Sequence, residues 1–206
     1  ARFIEDMVIY KDDNLIVLNK PSGLAVQGGT NTQRHIDGML DALKFDNDER
    51  PKLVHRIDKD TSGVLVLARN RKTADLLTKA FREHTLKKTY LALVRGVPAK
   101  EYGEIKAPLE KADGRVQVLE GGKPAVTEYQ VLDCVSDKYA LLAASPLTGR
   151  THQIRAHLEF IGTPILGDGK YFGTDREKSG MFVHKLHLHA YKICLLYTSP
   201  SPRDRQ

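Results

Sequence analysis

The sequence predicts an α+β fold in which a mixed, largely antiparallel sheet is flanked by helices. Many short segments alternate apolar and polar residues as strands do, and several are joined by short connections that contain Gly or Asp. Two longer segments repeat their apolar residues at helical spacing instead. Strands and helices follow one another in no regular alternation, which argues against a parallel architecture of repeated strand–helix–strand units.

The first quarter of the chain predicts two strands and one short helix. Residues 7–10 and 15–18 are strand-like, and the turn-forming residues 11–14 separate them. Residues 36–43 place Ile36, Leu40 and Leu43 on one helical face. The charged stretch 45–52 is predicted to be a surface loop.

The middle of the chain predicts a buried strand, a helix and another strand. The apolar run 64–68 directly follows a polar turn and is typical of a buried strand. Residues 72–84 have the apolar spacing of an amphipathic helix that packs on a sheet. Residues 89–94 alternate and predict the next strand.

The last third predicts further strands and a second amphipathic helix. Strands are expected at 115–119, 125–132, 139–144 and 184–193. A helix is expected over 151–161, with Ile154, Leu158 and Ile161 as its apolar stripe, and the Gly and Pro of residues 162–164 end it.

Composition restricts the function only loosely. The 206 residues carry a net charge of +6, which favours polyanionic partners but does not separate RNA from DNA or from general solubility. No apolar run approaches the roughly 18 to 20 residues that a membrane helix needs. Cys134 and Cys194 are too few and too distant to form a disulfide framework, so a cytoplasmic location is expected.

The two ends of the chain differ from its body. The chain lacks an initiator methionine and is expected to begin inside a longer protein. Residues 194–206 abandon the strand pattern and resemble the translation of a sequencing adapter, so we predict one domain over 1–193 and a non-native tail. A native disordered Ser/Pro/Arg tail is the alternative.

The turn 55–63 is the strongest candidate for a functional site. It places Asp58 two residues after Arg56, immediately before the predicted buried strand, and rigid strands commonly hold catalytic turns. An aspartate in a turn is usually a capping residue. Here residues 60–63 already supply capping groups, so Asp58 is not needed for that purpose.

Residues 55–63 resemble the active-site motif of pseudouridine synthases of the RluA/RluC type. Further segments resemble that family in the same order and spacing: 3–10, 17–23, 87–96, 146–157, 164–168 and 188–190. The resemblance covers almost all of residues 3–190. It implies the family's catalytic fold, with an active-site cleft, and most closely the RluC branch.

The resemblance implies a mechanism for Asp58. This aspartate would attack the target uridine, either at C1′ of the sugar or at C6 of the ring. The glycosidic bond would break, the uracil would rotate, and its C5 would rejoin the sugar. Arg155 would favour the charged carboxylate, and Tyr90 would stack on the uracil and help to remove the C5 proton. Without the motif, Arg155 could equally be an exposed helix arginine and Tyr90 a core aromatic residue.

The resemblance also implies substrate-binding residues. Arg56 would fill the space that the extruded base leaves, which offsets part of the cost of base flipping. Four more residues are expected to bind the substrate. Two belong to the motif 55–63 and two to the motif 146–157: His55, Thr61, His152 and Gln153.

No cofactor and no metal are expected, because the reaction is an isomerisation without redox change. His184, His187 and His189 suggest a zinc site at first sight. On a strand, however, only His187 and His189 would share a face, and no acidic or thiol ligand lies near them. Structural or RNA-facing roles are therefore expected for these histidines.

The predicted partner is RNA, and large-subunit ribosomal RNA in particular. A domain that binds RNA without chemistry and an isomerase for transfer RNA are the two alternatives. Relatives of this branch usually carry an RNA-binding S4 domain upstream, which this sequence does not contain. We expect a monomer with no membrane association.

Overall fold

The computed structural model describes residues 2–29, 34–172 and 185–195. Its elements are α1 (Arg2–Glu5), β1 (Val8–Lys11), β2 (Leu15–Lys20), a 3-10 helix (Asp37–Leu43), β3 (Lys52–Leu53), β4 (Ser62–Ala68), α2 (Arg71–Arg82), β5 (Leu86–Arg95), β6 (Tyr102–Lys106), β7 (Leu109–Ala112), β8 (Arg115–Val118), β9 (Val126–Val135), β10 (Tyr139–Pro146), α3 (Gln153–Phe160) and β11 (Leu188–Leu195). None of the helices in these residues has the length and apolar character needed to cross a membrane.

The predicted fold class is confirmed by a nine-stranded, largely antiparallel sheet. The strand order is β1-β2-β4-β11-β5-β10-β9-β6, and β3 pairs with β4. The pairing of β4 with β11 is parallel, whereas the other pairs of this sheet are antiparallel. Strands β7 and β8 form a separate hairpin that packs against α3.

The core forms two main clusters on either side of the β4–β11–β5 junction. One cluster contains Leu18 and Leu65, from β2 and β4. The other contains Leu142 and Leu158, from β10 and α3. Tyr90 of β5 packs against both clusters and therefore lies where the two halves of the sheet meet.

Several predicted boundaries are wrong, one for a local reason and one because of a partner strand distant in sequence. Helix α3 begins at Gln153 rather than at residue 151, because His152 adopts a left-handed conformation with φ 51°. The last strand begins at Leu188 and continues through Cys194 and Leu195, which pair with β5. Pairing with β5 thus extends β11 beyond residue 193, where the alternation of apolar and polar residues ends. His184 lies outside the described residues.

Four short elements were not predicted from the sequence: α1, β3, β6 and β7. Strand β6 is exposed at every second position and lies at the edge of the sheet, so its burial pattern is weak. The segment 36–43 is helical as predicted, but with 3-10 geometry from Asp37.

Gly63 permits the parallel pairing that follows the candidate turn. Its φ is +110°, and a Cβ at this position would lie 2.2 Å from the carbonyl oxygen of Ala190, its partner on β11. A side chain would therefore force β4 and β11 apart. This close approach fixes the end of the turn that carries Asp58.

Lys20 holds the other side of the same turn. It ends β2, is fully buried, and donates from Nζ to the carbonyl oxygens of Lys59 (2.8 Å), Leu24 (2.7 Å) and Pro21 (2.9 Å). Burial lowers the pKa of Lys20 to about 8, although the nearby carboxylates of Asp60 and Asp58 act in the opposite direction. The lysine therefore joins the 21–24 loop to the candidate turn.

The substitution Lys20→Met tests this connection. Methionine keeps an apolar stem of similar length but leaves three carbonyl oxygens without their donor. We expect the free energy of unfolding, measured by urea denaturation, to fall by about 2–4 kcal/mol. The exposed Lys87 of β5 is the matched control, and Lys87→Met should change it by no more than about 0.5 kcal/mol. Equal effects of the two substitutions would contradict the proposed role.

Candidate active site

A cavity of about 720 Å³ opens beside the candidate turn. Its walls come mainly from four parts of the chain: the 25–28 loop, the 54–61 turn, residues 78–90 and the 146–155 segment. All eight predicted site residues line it: His55, Arg56, Asp58, Thr61, Tyr90, His152, Gln153 and Arg155. The fold thus brings together the residues of separate motifs.

Asp58 is both held in place and reachable. Its side chain is 33% exposed, and its Oδ2 lies 3.8 Å from Nη1 of Arg155 and 3.9 Å from Nε2 of His152. The turn around it is closed by a hydrogen bond from the backbone N–H of Thr61 to the carbonyl oxygen of Asp58 (3.1 Å). Because the backbone makes this bond, the carboxylate remains available to the cavity.

Arg155 is fixed by a second carboxylate behind it. Its side chain is only 5% exposed, and Nε and Nη2 each donate to one oxygen of Asp168 at 2.7 Å. This bidentate arrangement leaves Nη1 to face Asp58. Burial alone would lower the pKa of Arg155, but Asp168 and Asp58 outweigh burial and raise it. The guanidinium therefore stays charged.

Asp168 was not predicted as a site residue. Its carboxylate is buried and also accepts hydrogen bonds from the backbone N–H groups of Lys170 (3.0 Å) and Tyr171 (3.3 Å). The residue stands in the 164–168 motif, directly after Gly167, whose φ is +73°. An acidic residue directly after a glycine, within a segment that resembles a family motif, is the signal that sequence analysis could have used to identify Asp168.

Tyr90 forms a neutral wall of the cavity. Burial, followed by the charge of Asp58, raises the pKa of Tyr90 well above that of an ordinary tyrosine, so the phenol keeps its proton. A protonated phenol can stack on a base and donate a hydrogen bond. The predicted stacking role fits this environment better than the predicted role in proton removal.

His55 has a structural role within the site. Its Nε2 accepts a hydrogen bond from the backbone N–H of Val66 (2.9 Å). Val66 lies in the part of β4 between the residues that pair with β11 and those that pair with β3. The ring also stacks on Phe81 of α2, with 4.2 Å between centroids. Burial and the charge of Lys88 lower the pKa of His55 to about 3, so the imidazole is neutral.

The remaining predicted residues differ in what they can offer a ligand. Arg56 is exposed, and its Nη1 donates to Oε1 of Gln27 (3.0 Å). Thr61 is buried beneath the turn.

Gln153 is buried, and its amide already bonds to protein groups: the hydroxyls of Thr148 and Thr127, the N–H of Arg150 and the carbonyl of Val126. Its amide is thus committed to holding the start of α3.

A set of basic residues that sequence analysis had not assigned also lines the cavity: Lys59, Arg82, Lys88 and Arg150. Burial lowers the pKa of Lys88. Net charge alone could not locate these residues, because they come from four separate segments of the chain.

The histidines outside the cavity make ordinary structural contacts. Nδ1 of His189 lies 2.8 Å from Oγ of Ser62, and Nδ1 of His187 lies 3.1 Å from the carbonyl oxygen of Leu166. The buried His157 bonds to Thr127 and to the carbonyl of Ala107. Across residues 2–29, 34–172 and 185–195, no group of three His, Cys, Asp or Glu side chains could hold a metal ion.

Similar sequences share the cavity-forming part of the chain. The family model for RNA pseudouridylate synthases matches residues 14–160. Ribosomal large subunit pseudouridine synthase C of Rickettsia conorii is 42% identical, over 92% of this chain and 63% of the relative. The mitochondrial RNA pseudouridine synthase 4 of Arabidopsis thaliana is 45% identical, over 82% of this chain and 41% of the relative. The chain thus spans less than two thirds of either relative.

Solved structures agree with the sequence comparisons. The structure of human RNA Pseudouridylate Synthase Domain Containing 4 superimposes with a TM-score of 0.79 at 32% identity, covering 94% of this chain and 85% of the human one. Human RNA Pseudouridylate Synthase Domain Containing 1 gives a TM-score of 0.74 at 25% identity, over 94% and 79%. With the family model matching most of its length, this chain belongs to the RNA pseudouridylate synthase family.

Proposed function

We propose that this chain isomerises uridine to pseudouridine in RNA, with Asp58 as the nucleophile. The observation that carries the proposal is the position of the Asp58 carboxylate. It is one third exposed in a cavity of about 720 Å³, and its nearest cation is the buried, charged Arg155, 3.8 Å away. That volume lies within the range of about 300–1,000 Å³ in which proteins bind small ligands, and it suits a single extruded nucleoside.

The reaction needs only one nucleophile and no change of oxidation state. The carboxylate of Asp58 attacks C1′ or C6, and the bond between C1′ and N1 breaks. The uracil turns within the cavity, a bond forms between C5 and C1′, and the bond to Asp58 breaks, which restores the free carboxylate. The proton at C5 is lost and N1 gains one, so substrate and product have the same atoms, and neither cofactor nor metal is required.

The surrounding residues have separate roles in this proposal. Arg155 balances the negative charge at Asp58 in a partly dry site, where such an interaction is stronger than in water. Tyr90 stacks on the uracil, and Arg56 enters the helical stack from which the uridine is extruded. His55, Thr61 and Gln153 support the walls, and His152 presents a ring nitrogen to the cavity.

Large-subunit ribosomal RNA is the substrate that we propose, with transfer RNA as the alternative. The basic residues at the cavity and the net charge of +6 suit a polyanion. The printed name of the Rickettsia conorii relative, 42% identical, refers to the large ribosomal subunit. We further propose that residues 1–193 are the catalytic domain and act as a monomer.

The substitution Asp58→Asn tests the nucleophile. We expect pseudouridine formation in a large-subunit rRNA transcript to fall by at least about 10⁴-fold, because the amide cannot form the covalent intermediate. The fold should persist, since the backbone of Asp58 closes the turn. Pseudouridine is measured by chromatography of the digested RNA, and transfer RNA transcripts are tested in parallel.

Asp60→Asn is the matched control for that experiment. Asp60 lies in the same turn but is exposed and does not line the large cavity, so its variant should retain wild-type turnover. Wild-type turnover by Asp58→Asn would refute the proposal. RNA binding by the wild-type chain with every uridine unchanged would instead support a binding domain without chemistry.

The substitution Arg155→Lys tests the charge beside Asp58. A lysine keeps the charge but cannot bond both oxygens of Asp168 and still direct an N–H group at Asp58. We expect the single-turnover rate to fall by about 100-fold.

Arg69→Lys controls for the loss of a buried guanidinium. Arg69 is as buried as Arg155, at 4% exposure, but binds the carbonyl of Asp12 and the carboxylate of Asp46, away from the cavity. Its variant should lose thermal stability and keep its turnover. If Arg155→Lys changes only the melting temperature, as Arg69→Lys is expected to do, Arg155 has no role at the reacting carboxylate.

A further inference from the structure

Tyr171 connects the β7–β8 hairpin to the cavity without lining it. The residue is buried, and its hydroxyl oxygen lies 3.1 Å from the backbone nitrogen of Val116 on β8 and 3.0 Å from Nδ1 of His152. The other ring nitrogen of His152, Nε2, lies 3.9 Å from Oδ2 of Asp58. Hydrogen bonds therefore connect the hairpin to His152, whose other ring nitrogen faces the carboxylate of Asp58.

The direction of each of these hydrogen bonds follows from what each group can donate. The N–H of Val116 can only donate, so the Tyr171 oxygen accepts there. The hydroxyl proton of a buried tyrosine needs an acceptor, and Nδ1 of His152 is the one that the described residues offer. Nδ1 must then be unprotonated, which places the single proton of a neutral imidazole on Nε2.

The charges around His152 agree with a neutral ring. Burial lowers the pKa of His152, as do Arg155 and Lys170, while Asp58 and Asp168 act in the opposite direction. Burial also raises the pKa of Tyr171, so its hydroxyl keeps the proton that it donates. The left-handed backbone of His152, with φ 51°, further restricts where the ring can lie.

We propose that Tyr171 is a positioning residue that fixes His152 as the Nε2–H tautomer, so that an N–H donor faces Asp58 and the uridine bound beside it. This inference rests on the proposed function for its catalytic meaning. In this form Nε2 of His152 can donate a hydrogen bond to an oxygen of the substrate, because its distance of 3.9 Å to Asp58 is too long for a direct hydrogen bond. It cannot accept the C5 proton, because the position is already occupied.

The same tyrosine also packs against the cation of the site. Its ring centre lies 5.0 Å from the guanidinium carbon of Arg155, which suits a cation–π contact. Phenylalanine at this position would keep that contact and remove only the hydroxyl. Tyr171→Phe therefore separates the effect on His152 from the effect on Arg155.

The first test measures the tautomer directly. In protein labelled with ¹⁵N-histidine, we expect the His152 ring to show a protonated Nε2 and an unprotonated Nδ1 at neutral pH. In Tyr171→Phe, Nδ1 loses its donor, and we expect a mixture of tautomers. A protonated Nδ1 in the wild-type chain, or an unchanged pattern in the variant, would overturn the proposal. This measurement requires no RNA, so it stands or fails separately from the isomerase activity.

The second test asks whether Tyr171 acts through His152. We expect Tyr171→Phe to lower kcat about tenfold with little change in KM, because one orienting hydrogen bond is lost. In a His152→Ala background the same substitution should have little further effect, because the pair acts as one unit. Independent, additive losses would overturn the proposal.

The control variant is Tyr129→Phe. Tyr129 is a buried tyrosine of β9 within the second core cluster, and it does not line the cavity. Its variant should leave both kcat and the His152 signals unchanged. If Tyr129→Phe lowers kcat as much as Tyr171→Phe does, the effect is one of general packing and the positioning role is wrong.

Discussion

The structure depends on how one buried guanidinium is shared between two carboxylates. Arg155 is almost completely buried, and a buried cation is costly unless a counter-charge and hydrogen bonds satisfy it. Asp168 supplies both, through two bonds of 2.7 Å. The Asp168 carboxylate accepts four hydrogen bonds, two of them from backbone N–H groups, and these hold it in place. Arg155 can therefore direct its remaining nitrogen at Asp58 without losing the partner that keeps it stable.

This arrangement requires two halves of the sheet to meet at a fixed distance. Asp58 belongs to the turn before β4, whereas Arg155 belongs to α3, which packs on the other half. Parallel pairing of β4 with β11 joins the halves, and the close contact between Gly63 and Ala190 holds them together just beyond the turn. Lys20 fixes the turn from the opposite side through the carbonyl of Lys59. The cavity is thus located at the junction of the two core clusters.

Much of the fold could be predicted from the sequence because it depends on alternation, and the residues that line the cavity could be named because their motifs resemble those of a known family. Strand order and the limits of α3 could not be predicted, since they depend on partners distant in sequence and on one left-handed residue, His152. The role of Gln153 could not be predicted either, because nothing in the motif 146–157 indicates that the Gln153 amide bonds to groups of the protein itself. Lys20 could have been recognised, because alternation places it on the buried face of Ile16 and Leu18.

The aromatic rings around Asp58 are neutral, whereas its nearest charged partner is Arg155. Burial lowers the pKa values of His55 and His152 and raises that of Tyr90, so each of these rings favours its uncharged form near neutral pH. Neutral rings can shape the cavity and donate hydrogen bonds without competing with Arg155 for the carboxylate. Arg155, at 3.8 Å, is the cation closest to Asp58, so the field at the carboxylate depends on whatever holds Arg155 in place, together with the charge of Lys20. For this reason buried residues such as Asp168, which do not line the large cavity, are as important to the site as those that do.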